Sequence, residues 1–265
     1  MDETEDKTSK PRRRGIYLLP NLFTTGTLFA GFYGIVASID GHFQPAAIAI
    51  FVAGLLDGMD GRLARLTNTE SEFGKQYDSL ADMVAFGMAP AIIVYQWGLK
   101  ALGEYGWAWG KLGWLAAFLY AVAAALRLAR FNVTAKTADR RFFEGLPSPS
   151  AAGLVASMVW VASGLGVGGL PTLAVVMALT ILAGALMVSR LAYWSFKGLS
   201  PRGRVSFAYV LIIPLVFVLI AIDPPRVCFF LACSYALSGI VIALWRRWRR
   251  QSGRLRRNER GLPDE

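Results

Sequence analysis

The sequence predicts an all-α fold: a polytopic integral membrane helical bundle of about eight transmembrane helices with both termini cytoplasmic. Three observations lead there. Of 265 residues, 55% are hydrophobic and only 17% charged, and the mean hydropathy is +0.44, which is not the composition of an ordinary soluble domain. The apolar residues gather into eight stretches, 21–39, 44–63, 79–97, 112–129, 151–165, 171–188, 206–222 and 227–245, most of them near the roughly 17–25 residues of a spanning helix. With the N-terminus inside, 25 of the 28 Lys and Arg fall on cytoplasmic segments, and only Lys100, Lys111 and Arg226 fall outside.

In chain order, residues 1–15 are polar and basic without a signal-peptide layout, and are expected as a disordered tail before a membrane domain over 16–245. The first span is opened by Leu18-Leu19-Pro20-Asn21-Leu22-Phe23-Thr24, where Asn21 suits a helix-start cap. His42, the only histidine, falls in the short first loop, which argues against histidine catalysis or zinc chemistry. The second span runs into Asp57 and Asp60, and the third starts beside Asp78 and Asp82. The fifth stretch is the weakest, being short and followed by the Gly-rich run 164–169. Spans over 171–245 are expected to be accessory. Cys228 and Cys233 lie in the last apolar run with neither metal-ligand nor disulfide spacing, and read as buried thiols. The basic tail 246–265 follows directly, with Trp245 and Trp248 at an interface, so it reads as a juxtamembrane anchor on anionic lipid. Topology and membrane lipids thus account for the net charge of +10, and nucleic acid is not expected as a partner. No internal repeat supports a transporter built from inverted halves.

The chain is organised around residues 57–82. Asp57, Asp60, Gly61, Ala64 and Arg65 share one helix face at offsets of 3, 4, 7 and 8, and Asp78 and Asp82 share a face of the next helix. Four carboxylates at similar depth in apolar helices repel one another, and each costs about 2.5–3.5 kcal/mol on the lenient insertion scale. A hard divalent cation, Mg²⁺ or Mn²⁺, relieves this and keeps places for phosphate oxygens. Ion pairing with Arg62 and Arg65 is the alternative, but it leaves acid in excess.

The pattern D-x-x-D-G-x-x-A-R-x8-G-x3-D-x3-D, filled here at every position from Asp57 to Asp82, resembles the signature of the CDP-alcohol phosphatidyltransferases. That resemblance implies transfer from a CDP-linked lipid to an alcohol, with release of CMP. It assigns two metal ions to Asp57, Asp60 and Asp78, with Asp82 as general base and a further contact to metal. It also assigns the CDP-lipid to Asn21, Gly61, Arg65 and Ser71, and it implies a homodimer. The DDxxD pattern of prenyltransferases is absent. A divalent-cation transporter would explain the acids but not the Gly, Ala and Arg set among them, and a scaffold would need none of these.

Three stretches, 18–24, Leu126-Arg127-Leu128-Ala129-Arg130-Phe131-Asn132 and Phe143-Glu144-Gly145-Leu146-Pro147-Ser148-Pro149, resemble the phosphatidylserine synthase branch of that family. The expected substrates are therefore CDP-diacylglycerol and L-serine, at a cytoplasm-facing site in the inner cell membrane. Arg127, Arg130, Asn132, Glu144 and Ser148 are the candidate acceptor contacts, although positive-inside anchoring serves equally for each arginine and loop hydrogen bonding for the other three. Glycerol 3-phosphate, inositol phosphate or choline remain alternative acceptors for the same chemistry.

Overall fold

In the computed structural model, which describes residues 18–67, 71–134, 142–194 and 207–258, each of the eight apolar stretches coincides with a helix. They are α1 (Leu18–Ile39), α2 (Phe43–Leu66), α3 (Glu72–Asp82) leading through a π-helical turn (Met83–Met88) into α4 (Ala89–Trp97), α5 (Trp107–Thr134), α6 (Ser148–Leu165), α7 (Leu170–Val188), α8 (Phe207–Ile222) and α9 (Pro224–Asn258). A 3₁₀ segment, Leu99–Tyr105, joins α4 to α5. The expected N-terminal tail, 1–15, lies outside the described residues.

Six helical segments among the described residues are long and apolar enough to cross a membrane, so the chain is a multi-pass membrane protein. The other two of the eight differ for identifiable reasons. Helix α2 carries Asp57, Asp60, Arg62 and Arg65 in its last turns, and the described part of α8 has 16 residues. Large apolar side chains on the outer surface, among them Phe29 and Phe32 of α1, Phe118 of α5, Phe217 of α8 and Val241 of α9, would be an aggregation hazard in water and are the expected lipid face here.

Helix α6 is the most enclosed element: every residue from Ala151 to Val159 is buried, and α2, α4 and α9 pack around it. Its small residues, Ala151, Ala152, Gly153, Ala156 and Ser157, allow the close approach that packs helices inside a bilayer. The stretch with the weakest claim to a span is thus the centre of the bundle. Cys228 and Cys233 are half-buried free thiols on α9, rather than fully buried ones. Helix α9 also runs on to Asn258, so the first part of the basic tail is helical.

Two features were not expected from the sequence. The π-helical turn directly follows Asp82, with the Ala89 N–H reaching back five residues to the Val84 carbonyl. Gly31 of α1 packs on it so closely that a Cβ there would stand 2.6 Å from the Ala85 Cα. Between helices, β1 (Phe142–Glu144) pairs antiparallel with β2 (Ala192–Trp194), Phe143 opposite Tyr193. Gly145, at φ +81, turns the chain out of β1 where a side chain would collide with the Met187 carbonyl. The Gly145 N–H donates to the Leu191 carbonyl (2.8 Å) and the Leu146 N–H to that of Leu186 (3.0 Å), fixing where α6 begins.

Candidate functional site

Asp57 and Asp60 stand in the last turns of α2, while Asp78 and Asp82 stand on the short α3, and α1 packs against both helices. Carboxylate oxygens of Asp57, Asp60 and Asp78 lie within 4.8 Å of one another. Asp60 is buried at 4% exposure, and its Oδ2 accepts a 2.9 Å hydrogen bond from the hydroxyl of Thr24 on α1. Asp82 is not part of that close group but lies within electrostatic reach of all three acids and of Arg127.

Local sequence sets this arrangement. Ser71 is the N-cap of α3, its Oγ accepting from the Gly74 N–H at 3.0 Å, which starts the helix in phase for Asp78 and Asp82 to face α2. Gly74 is required because a Cβ there would press on the Ser71 Oγ at 3.1 Å and the Asn21 Oδ1 at 3.5 Å. Asn21 is therefore not the helix-start cap, since it lies three residues inside α1 beside the opening of α3. The hydroxyls of Thr25 and Tyr77 meet at 2.9 Å and tie α1 to α3.

Of the other expected lipid contacts, Gly61 faces open space, since a Cβ there would meet nothing within 4 Å. Arg65 belongs to α2, but its side chain lies outside the described residues. Among the expected acceptor contacts, the Arg127 Nη1 donates to the buried Ser148 Oγ at 2.8 Å, joining α5 to the start of α6. Asn132 donates through Nδ2 to the Ser79 Oγ at 3.0 Å and so braces α5 on α3. Arg130 is half-buried on α5, and the Glu144 side chain lies outside the described residues.

Two buried polar atoms have no hydrogen-bond partner among the described residues: Asp82 Oδ1 and Arg127 Nε. An orphaned carboxylate oxygen and an orphaned guanidinium N–H are each costly inside a protein and mark where a ligand's groups would be accepted. Three clustered carboxylates beside such an oxygen form an all-oxygen donor set that fits a hard divalent cation. Thr24, Tyr77 and Ser79 were missed by sequence reasoning. Thr24 and Tyr77 become visible only once α1 is docked on α2 and α3, and no local pattern signals it.

Residues 17–196 match the model of a protein family described as CDP-alcohol phosphatidyltransferase. A CDP-diacylglycerol–serine O-phosphatidyltransferase of Helicobacter pylori is 37% identical over 203 residues, 77% of this chain and 83% of the relative. The protein of that name from Mycobacterium leprae is 38% identical over 61% of this chain and 54% of its own length. An archaetidylserine synthase of Methanothermobacter thermautotrophicus is 37% identical over 52% of this chain and 56% of its own length.

Proposed function

This chain belongs to the CDP-alcohol phosphatidyltransferase family, and we propose that it transfers the phosphatidyl group of CDP-diacylglycerol to the hydroxyl of L-serine, giving phosphatidylserine and CMP. The names of the bacterial relatives agree with this, and that of the archaeal relative agrees on the serine. The observation that carries the acceptor is the pair of orphaned atoms, Asp82 Oδ1 and Arg127 Nε. Serine brings what each lacks: a hydroxyl proton for the carboxylate and a carboxylate for the guanidinium.

Asp57, Asp60 and Asp78 hold divalent metal in this reading, with Asp82 at the edge of the second of two ions. Mg²⁺ or Mn²⁺ held there supplies charge neutralisation on the diphosphate. Arg65 grips phosphate with its planar fork, and Asn21, Gly61 and Ser71 lie along the CDP moiety. Arg127, seated on Ser148, orients the serine carboxylate, with Arg130, Asn132 and Glu144 around it. The serine oxygen attacks the β-phosphorus and Asp82 takes its proton; the bond to the bridging oxygen breaks, and CMP leaves with that oxygen. Eight spans with both termini cytoplasmic, a cytoplasm-facing site in the inner cell membrane and a homodimer complete the reading. The uneven distribution of Lys and Arg supports the orientation.

The test is CMP release by the purified chain with CDP-diacylglycerol and Mg²⁺ or Mn²⁺, offering serine, glycerol 3-phosphate and inositol phosphate separately. Release with serine alone is expected. Release with another alcohol and not with serine would remove the serine reading and keep the transferase chemistry.

A further inference from the structure

We propose that α9 forms one wall of the acceptor subsite, with Tyr235 as a positioning residue for Arg127 and Tyr193 as the bolt that holds Tyr235 in place. The proposal rests on the reading that Arg127 meets the acceptor. Tyr235 lies beyond residues 17–196, so nothing in the family match covers it.

Tyr193 of β2 is fully buried, and its hydroxyl donates to the Ala236 carbonyl of α9 at 3.0 Å. Helix α9 is shaped to receive it, because a Cβ at Gly239 would collide with the Tyr193 ring. The rings of Tyr193 and Tyr235 pack at 5.6 Å between centroids, tilted by 42°, so fixing the first orients the second. The phenol of Tyr235 is within electrostatic reach of the Arg127 guanidinium.

The same ribbon holds the opposite side of that guanidinium. Tyr193 pairs with Phe143 of β1, and the chain leaving β1 passes Gly145 and Leu146 to Ser148, whose Oγ accepts from Arg127. Ser148 and Tyr235 therefore converge on one arginine from α6 and α9, and α6 packs against α9 along its length. A phenylalanine at 235 would keep the ring contact with Tyr193 while sparing a membrane helix the burial of a hydroxyl. A hydroxyl retained there beside a buried cation is consistent with a role in presenting that cation.

The experiment is steady-state CMP release by the full chain in lipid, varying serine at saturating CDP-diacylglycerol and the reverse, for Tyr235→Phe and Tyr193→Phe. Tyr235→Phe is expected to raise the serine KM about tenfold, the effect of one lost hydrogen bond to a charged group. Its kcat, its KM for CDP-diacylglycerol and its melting temperature stay as in the unaltered chain. Tyr193→Phe shifts the serine KM the same way by less. An unchanged serine KM in Tyr235→Phe overturns the proposal, as does a rise in both KM values together with a lower melting temperature, which is mere packing. If the unaltered chain accepts another alcohol instead of serine, the serine reading fails separately. The KM for that alcohol then decides the wall by the same criterion.

Discussion

The hydroxyl of Thr24 donates to the Asp60 Oδ2 across 2.9 Å, joining α1 to α2 inside the acidic cluster. A neutral donor on one oxygen fixes the rotation of the carboxylate and compensates part of its burial. Thr24→Val, close in shape, is expected to fold and to raise the half-saturating Mg²⁺ concentration about five- to tenfold, while Thr24→Ser stays near the unaltered value. Both turnover and metal-induced thermal stabilisation report this. An unchanged metal dependence in Thr24→Val would show that the hydroxyl orients nothing.

Removing metal tests the cluster itself. Carboxylates within 4.8 Å of one another are mutually repulsive, so a bound divalent ion stabilises the fold as well as the reaction. At a hundredfold excess over its Kd the ion contributes about 2.7 kcal/mol. Chelation is expected to abolish turnover and lower the melting temperature, and Mg²⁺ or Mn²⁺ to restore both. Asp78→Asn should lose the thermal response as well as activity. A variant that keeps the full metal-induced shift would take Asp78 out of the site.

Asp82 stands apart from that close trio and carries the orphaned oxygen, which separates its role from theirs. Asp82→Asn is expected to fold, to retain CDP-diacylglycerol binding and to lose turnover by about 10²–10⁴-fold, the usual worth of a general base. Substrate binding by thermal shift and CMP release by assay separate the two. Normal turnover would mean that another group takes the proton.

Two glycines make opposite predictions. A Cβ at Gly31 would meet the Ala85 Cα at 2.6 Å, and backbone cannot swing aside, so Gly31→Ala should destabilise by about 1–3 kcal/mol and disturb the turn that follows Asp82. Gly61 faces open space inside α2, so Gly61→Ala should fold as well or better, gaining up to about 1 kcal/mol of helix propensity. If CDP-diacylglycerol approaches the backbone there, its KM alone rises. Melting temperatures and KM values for the pair decide both points.

Much of the fold was legible because a membrane span declares itself by composition: each of the eight apolar stretches coincides with a helix. The acidic motif was legible because helical spacing places Asp57 with Asp60 and Asp78 with Asp82 before any tertiary contact exists. What stayed hidden has a common cause. An apolar span looks alike whether it faces lipid or protein, so the central place of α6 showed only in its run of small residues. Strands of three residues, Phe142–Glu144 and Ala192–Trp194, are too short for a period-two pattern to register. The π-helical turn has no local signature, and its close packing on Gly31 is a tertiary contact. The convergence of Ser148 and Tyr235 on Arg127 likewise exists only in three dimensions.

Arg127 gives the sharpest test of acceptor choice. Its Nη1 is committed to the Ser148 Oγ at 2.8 Å, and its Nε is buried without a partner among the described residues. A lysine keeps the charge but offers a single rotating ammonium in place of a planar fork, so it cannot hold Ser148 and a carboxylate in the same geometry. Arg127→Lys is expected to raise the serine KM about ten- to hundredfold, within the range of one or two charge-assisted hydrogen bonds, with CDP-diacylglycerol binding unchanged. Ethanolamine, which is serine without the carboxylate, should be an equally poor acceptor for Arg127→Lys and the unaltered chain. A variant that loses serine and ethanolamine use in the same proportion would place Arg127 in scaffolding or topology rather than against the carboxylate.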